Sequence, residues 1–173
     1  SAASNRAGFR SSARFDAAEL LSDEYYWANL EENDVLYAYD DDSGIYNPTG
    51  EQKVRQLLVD NLREEYAKNE KSEIVDQLRG RHTVSQEDMG GPENSVPVRN
   101  GVLEVTSSGI EVKDHNPEYR FLGSVATEYD PDAECPRFEE FLNDVVRTEA
   151  GRRKLQEYAG YTLMHWGLPY HKA

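Results

Sequence analysis

The chain has 173 residues, enough for one compact domain, and sets 33 Asp and Glu against 19 Lys and Arg for a formal net charge of −14. Such a surface repels nucleic acid unless a local basic patch overrides it, and the single cysteine, Cys135, excludes an internal disulfide and a cysteine pair for a metal. No apolar run approaches the ~20 residues of a membrane-spanning helix, and no signal-peptide core follows the N-terminus, so a cytoplasmic protein is expected.

Residues 1–14 are small, polar and basic through Arg6, Arg10 and Arg14, lack periodicity, and read as a linker or tail. Order is expected from Phe15, where Asp16 and Glu19 match a capping box opening a short helix to about Asp23. Tyr25, Tyr26, Trp27 and Leu30 then form an aromatic cluster, either stacking on bases or packed into the core, and the acidic neighbours Asp23, Glu24, Glu31 and Glu32 favour the core. Residues 35–39 and 44–48 are β-prone and tyrosine-rich, and the turn-forming Asp40-Asp41-Asp42-Ser43 between them predicts a β-hairpin.

Thr49 and Gln52 form a second capping box before Val54, Leu57, Leu58, Leu62 and Tyr66, which share one helical face. After Asn69 a shorter helix turns Ile74, Val75 and Leu78 inward and ends in Arg79, Arg81 and His82. That cluster either compensates the helix dipole or contacts nucleic acid. Residues 85–94, with Gly90-Gly91-Pro92, read as a loop. A small antiparallel sheet follows: Val96 and Val98, the tight turn Asn100-Gly101, residues 102–105, a turn over 106–109, then residues 110–112. Phe121, Leu122, Val125, Thr127 and Tyr129 suggest one more strand, closed by the turn Asp130-Pro131-Asp132.

Pro136 suits a first helical position, and Phe138, Phe141, Leu142, Val145 and Val146 recur at helical spacing behind it. Thr148 caps a last helix, striped by Leu155, Tyr158, Ala159, Thr162, Leu163 and Trp166 until Gly167 and Pro169 stop it. Together they predict a helical hairpin with an aromatic-rich inner face. The class is therefore α+β: N-terminal helix and β-hairpin, two amphipathic helices, a small antiparallel sheet and a C-terminal helical hairpin.

No catalytic constellation emerges. His82, His115, His165 and His171 have no ligand spacing, phosphate-loop and nucleophile-elbow motifs are absent, and Cys135 sits between an acid and a proline. Asp40, Asp41 and Asp42 are consecutive in a turn, whereas a two-metal nuclease needs carboxylates converging from several elements. Abundant acid over ordinary apolar stripes, with thirteen Arg to six Lys, suits a halophilic host, where salt screens self-repulsion; an acidic mesophilic or DNA-mimicking surface is the other reading.

Five segments occur in an order that resembles a known domain: Tyr37-Ala38-Tyr39-Asp40 with Gly44-Ile45-Tyr46, residues 99–105, residues 117–121, residues 128–138, and residues 155–163. The chain is similar to the accessory domain preceding the superfamily-3 helicase domain in phage, plasmid and poxvirus-type primase-helicases. The resemblance covers about residue 15 to the end. It implies residues 15–173 as a single accessory domain cut just before a helicase ATPase domain, and a full-length protein that unwinds DNA with ATP as a ring-shaped homo-oligomer, often with a primase upstream. It implies no cofactor here, ATP and Mg belonging to the ATPase domain.

The expected role is a non-catalytic one, linking and positioning the helicase ring on DNA. Alternatives are a free-standing acidic protein-interaction module and a metal-dependent nuclease on Asp40–Asp42. Candidate DNA or subunit contacts are Arg79, Arg81 and His82, with Arg152, Arg153 and Lys154 at the start of the last helix; for that triplet, pairing with Glu149 and Glu157 on a solvated face is the other reading.

Overall fold

The computed structural model of the chain describes residues 2–62 and 68–163, with side chains over 13–60 and 70–163. In order come α1 (Ala2–Glu24), β1 (Trp27–Leu30), β2 (Val35–Asp40), β3 (Ile45–Asn47), α2 (Gly50–Leu62) and α3 (Lys68–Arg81). They are followed by β4 (Thr83–Val84), β5 (Ser95–Val98), β6 (Gly101–Thr106), β7 (Gly109–Lys113), α4 (Pro136–Val145) and α5 (Glu149–Thr162). The class is α+β, as the pattern of elements predicts.

Two sheets form. The first runs β3-β2-β1-β4, with β1 antiparallel to β2 and parallel to β4; the second runs β5-β6-β7, all antiparallel. Helices α1, α2 and α3 cover one face of the first sheet, because each carries an apolar stripe that only a sheet or another helix can hide. Their core joins Ala18 and Leu21 of α1 and Val54 and Leu58 of α2 to Ile74, Val75 and Leu78 of α3 and to Trp27, Leu36 and Ala38 below them. Each such side chain contributes about 1.5–3 kcal/mol when fully buried. On the opposite face Ala28, Leu30, Tyr39 and Tyr46 pack with Met89, Tyr37, Val84 and Leu122.

The second sheet is fastened to the first through two loops. Phe121 is 0% exposed, its carbonyl accepts the Tyr46 N–H at 2.7 Å, and its ring lies where a side chain on Gly91 (φ +78°) would have to go. A second fastening is His115, whose imidazole occupies the space beside Gly44 at the tip of the β2–β3 hairpin. Its Nε2 lies 2.9 Å from the Val98 carbonyl and 3.1 Å from that of Gly101. Two carbonyls can only accept, so this nitrogen carries the hydrogen.

Several expectations are corrected. Residues 2–14 are helical rather than a linker: α1 starts at Ala2, so Asp16 lies inside a helix already under way and does not cap it. Ala, Arg and Ser tolerate a helix well, and the capping signature marks a start only where the chain enters there. β1 is a strand where the residues suggest only an aromatic cluster. All four of its residues are buried, so it lacks the alternation that announces a half-buried strand. Residues 121–129 make no strand but a single bridge, Val98 to Val125, flanked by bonds from Val125 N–H to the Pro97 carbonyl and from Arg99 N–H to that of Thr127.

The largest difference is at the C-terminal end. The helices α4 and α5 form where expected, with Pro136 at the first turn and the Thr148 hydroxyl accepting from Gly151 N–H at 3.2 Å. Their apolar stripe does not face inward. Leu142 is buried, but Phe138, Phe141, Val145, Leu155, Tyr158 and Leu163 are exposed. Tyr66, His165, Trp166, Gly167, Pro169 and His171 lie outside the described residues.

Candidate functional site

The last turn of α3 carries the first candidate cluster. Arg79 reaches into a cleft of about 310 Å³ between the start of α2 and the β1–β2 turn. Its Nη2 lies 2.7 Å from Glu51 Oε1, and its Nη1 lies 3.5 Å from Asp76 Oδ1 and 3.7 Å from Asp34 Oδ2. Lys71 Nζ takes the other Glu51 oxygen at 2.7 Å. Glu51 therefore grips two cations, and the Lys71 hydrogen bond above all holds its carboxyl below the usual range.

Arg81 lies over the Phe15 ring, 4.8 Å from its centroid. His82 Nε2 is 2.6 Å from Ser22 Oγ, and its carbonyl accepts the Asn29 N–H at 2.8 Å, which ties the end of α3 to β1. Burial, helped by the charge of Arg81, pushes the His82 imidazole below its ordinary pKa, so the neutral ring is favoured. All three residues of this cluster thus have partners inside the chain. Arg79 and Arg81 also stand in the last turn of α3, where the helix dipole favours cations.

At the hairpin tip Asp41 and Asp42 are exposed, while Asp40 accepts from the Ser43 hydroxyl and its carbonyl takes the Gly44 N–H. Among the described residues no group of three or more His, Cys, Asp and Glu side chains is placed to hold a metal ion. Of the aromatic cluster, Trp27 is buried with its indole N–H donated to the Leu21 carbonyl at 2.7 Å. Tyr26 is exposed and meets Tyr39 edge-on, and Tyr39 packs on Tyr46, whose hydroxyl burial pushes up to about 12.

The second candidate cluster opens α5. Arg152 donates from Nη1 to the Val146 carbonyl at 3.0 Å, closing the α4–α5 turn, and Arg153 pairs with Glu157 at 3.1 Å one helical turn on. Lys154 is exposed. Glu139, Leu142, Asn143, Arg152, Arg153 and Gln156 line a cavity of about 400 Å³ between the two helices. Residues 134–163 hold six acidic and five basic side chains, so this segment is nearly neutral on a chain whose formal charge is −14. An exposed apolar stripe and local neutrality coincide, the combination expected of a surface that meets another protein.

Sequence reading found both clusters but not the partners of the first. Arg79 and Glu51 are 28 residues apart, and no local pattern joins them. The uncovered face was missed for a different reason: a helical stripe announces that something covers it without saying what.

No curated protein matches the chain. A family model described as "D5 N terminal like" matches residues 9–147, from within α1 to just past α4. With the match running over both sheets, the chain belongs to the D5 N-terminal-like family, the N-terminal domains of D5-like primase-helicases.

Proposed function

We propose that this domain is a non-catalytic element of a DNA replication primase-helicase, joining and positioning an ATP-dependent helicase ring on DNA. The observation that carries the reading is the pair α4 and α5, whose six large apolar side chains stand in solvent on a nearly neutral stretch of an acidic chain. A neighbouring module or subunit of the ring covers that face. ATP and Mg are then bound by a separate ATPase module, and the residues described here supply assembly and spacing. Arg152, Arg153 and Lys154 border the same face and contact DNA or the neighbouring subunit, whereas Arg79, Arg81 and His82 are spent largely on internal partners.

The test uses the full-length protein with Phe138→Ser and Phe141→Ser together. Sedimentation should show loss of the ring, and strand unwinding should fall at least tenfold while nucleotide binding persists. Rings and unwinding at wild-type levels would overturn the proposal. The domain alone should bind single-stranded DNA weakly, since an acidic surface and a phosphate backbone repel. Tight, salt-insensitive retention on a filter would count against that.

A further inference from the structure

Sheet edges are where backbone groups remain free for another chain, and proteins ordinarily cover, shorten or charge them. Three of the four edges here are managed. β3 is capped by the bond from Tyr46 N–H to the Phe121 carbonyl. β4 is two residues long. β5 is flanked by the bonds from Val125 and Arg99 to the carbonyls of Pro97 and Thr127. The fourth, β7, is the last strand of its sheet, and all five of its residues are exposed.

The register shows which groups β7 offers. Val105 of β6 gives its N–H to the Asn94 carbonyl on the β5 side, so it does not bond its pair across the ladder, Ile110. Antiparallel pairs alternate, so Ile110 and Val112 direct their N–H and C=O outward from the sheet, while Glu111 bonds inward to Glu104.

The two faces of this hairpin differ sharply in chemistry. Leu103, Val105, Ile110 and Val112 share one face, and Ile110 and Val112 are 50% and 51% exposed. Glu104, Glu111 and Lys113 share the other, with the Lys113 ammonium 3.4 Å from Glu104 and 3.1 Å from Glu111, leaving one negative charge in excess.

From this edge we infer a strand-addition site: β7 accepts an extended segment of a partner protein in which β-branched apolar residues alternate with Lys or Arg. Main-chain bonds to Ile110 and Val112 supply attachment. Apolar side chains of the incoming strand extend the Val105–Ile110–Val112 face, and its basic ones meet Glu111 on the edge strand with Glu104 behind it. A helix has no free backbone groups to offer such an edge, and an acidic strand would be repelled by it.

The test is fluorescence anisotropy with a labelled Lys-Val-Lys-Val-Lys-Val-Lys peptide, against a control of the same composition in blocks, Lys-Lys-Lys-Lys-Val-Val-Val. The alternating peptide should bind at least tenfold more tightly. Val112→Pro, which removes one outward N–H without touching the ladder to β6, should abolish the difference with the circular dichroism spectrum retained. Glu111→Lys, an exposed change that leaves the backbone intact, should weaken alternating-peptide binding severalfold even if the proline variant misfolds. Equal binding of the two peptides, or binding unaffected by Glu111→Lys, would overturn the site. So would a doubling of mass in light scattering that Val112→Pro abolishes, since the edge would then be occupied by a second copy.

Discussion

Helices α2 and α3 and helices α4 and α5 carry the same kind of sequence pattern and meet opposite fates. In the first pair the stripe is hidden: Val54, Leu58, Ile74, Val75 and Leu78 all lie in the core under the first sheet. In the second it is bare, with Phe138 and Phe141 53% and 56% exposed and only Leu142 buried. Amphipathicity therefore reports that a helix wants a partner, and the partner's address is a separate matter. A sheet is close at hand for the first pair. For the second, the run from Leu122 to Tyr129 is tied to the sheets, but α4 and α5 come after it and their stripe finds no sheet to cover it.

The comparison can be broken by substitution, and the largest effect should come from the body. Phe121→Ala empties a fully buried site between the two sheets and should cost about 3–5 kcal/mol in urea denaturation. Phe141→Ser on the domain alone should cost no more than about 0.5 kcal/mol, as exposed substitutions do. Comparable losses at the two positions would mean that α4 is packed after all.

Next in size, Gly91→Ala should destabilise by about 2 kcal/mol or more, because an added Cβ would collide with the Phe121 ring and the backbone there has φ +78°. A thermal melt near wild type would show that the loop and ring can move apart cheaply.

A smaller effect separates the regions by pH. The His82 pKa is lower in the fold than its ordinary 6.5, so its contribution is complete above pH 6.5 and is lost as pH falls from 6.5 through the folded value. Glu51, also depressed, keeps its contribution to lower pH and loses it only below its ordinary 4.5. Denaturation midpoints at pH 7 and pH 5 should therefore differ for the wild type and differ less for His82→Gln. An undiminished difference would assign the slope to other groups. Smallest of all, Arg153→Ala removes an exposed pair with Glu157 and should change stability by at most about 0.5 kcal/mol. A larger loss would indicate that α5 is better anchored than its exposure suggests.

Much of this architecture was legible in the residues themselves. The hairpin 35–47, the apolar face of α3 and the three strands of the second sheet follow from alternation, helical spacing and the turn signals near residues 100 and 106–109, although the loops themselves are Arg99-Asn100 and Ser107-Ser108, with Gly101 and Gly109 opening the next strands. β1 stayed hidden because Trp27, Ala28, Asn29 and Leu30 are covered on both faces, which erases the period of two. The start of α1 stayed hidden because its first turns carry no stripe. Of the candidate sites, the positions of Arg79, Arg81, His82 and Arg152–Lys154 at helix ends were readable; the carboxylates that hold Arg79 come from distant segments, and only the fold brings them there.

The Asn100 side chain donates to the Tyr129 carbonyl at 2.9 Å and accepts from the Tyr129 N–H at 2.8 Å, imitating a rung of a ladder with a single amide. Among the described residues, this is the last bond along the chain that ties the run toward α4 to the second sheet and its turns. Any tug transmitted through the C-terminal helices arrives first at that amide and at the tight turn it belongs to. Asn100 is thus the bollard to which the trailing part of the domain is moored, and shortening that side chain to alanine would let the mooring slip back to Thr127, whose carbonyl takes the Arg99 N–H.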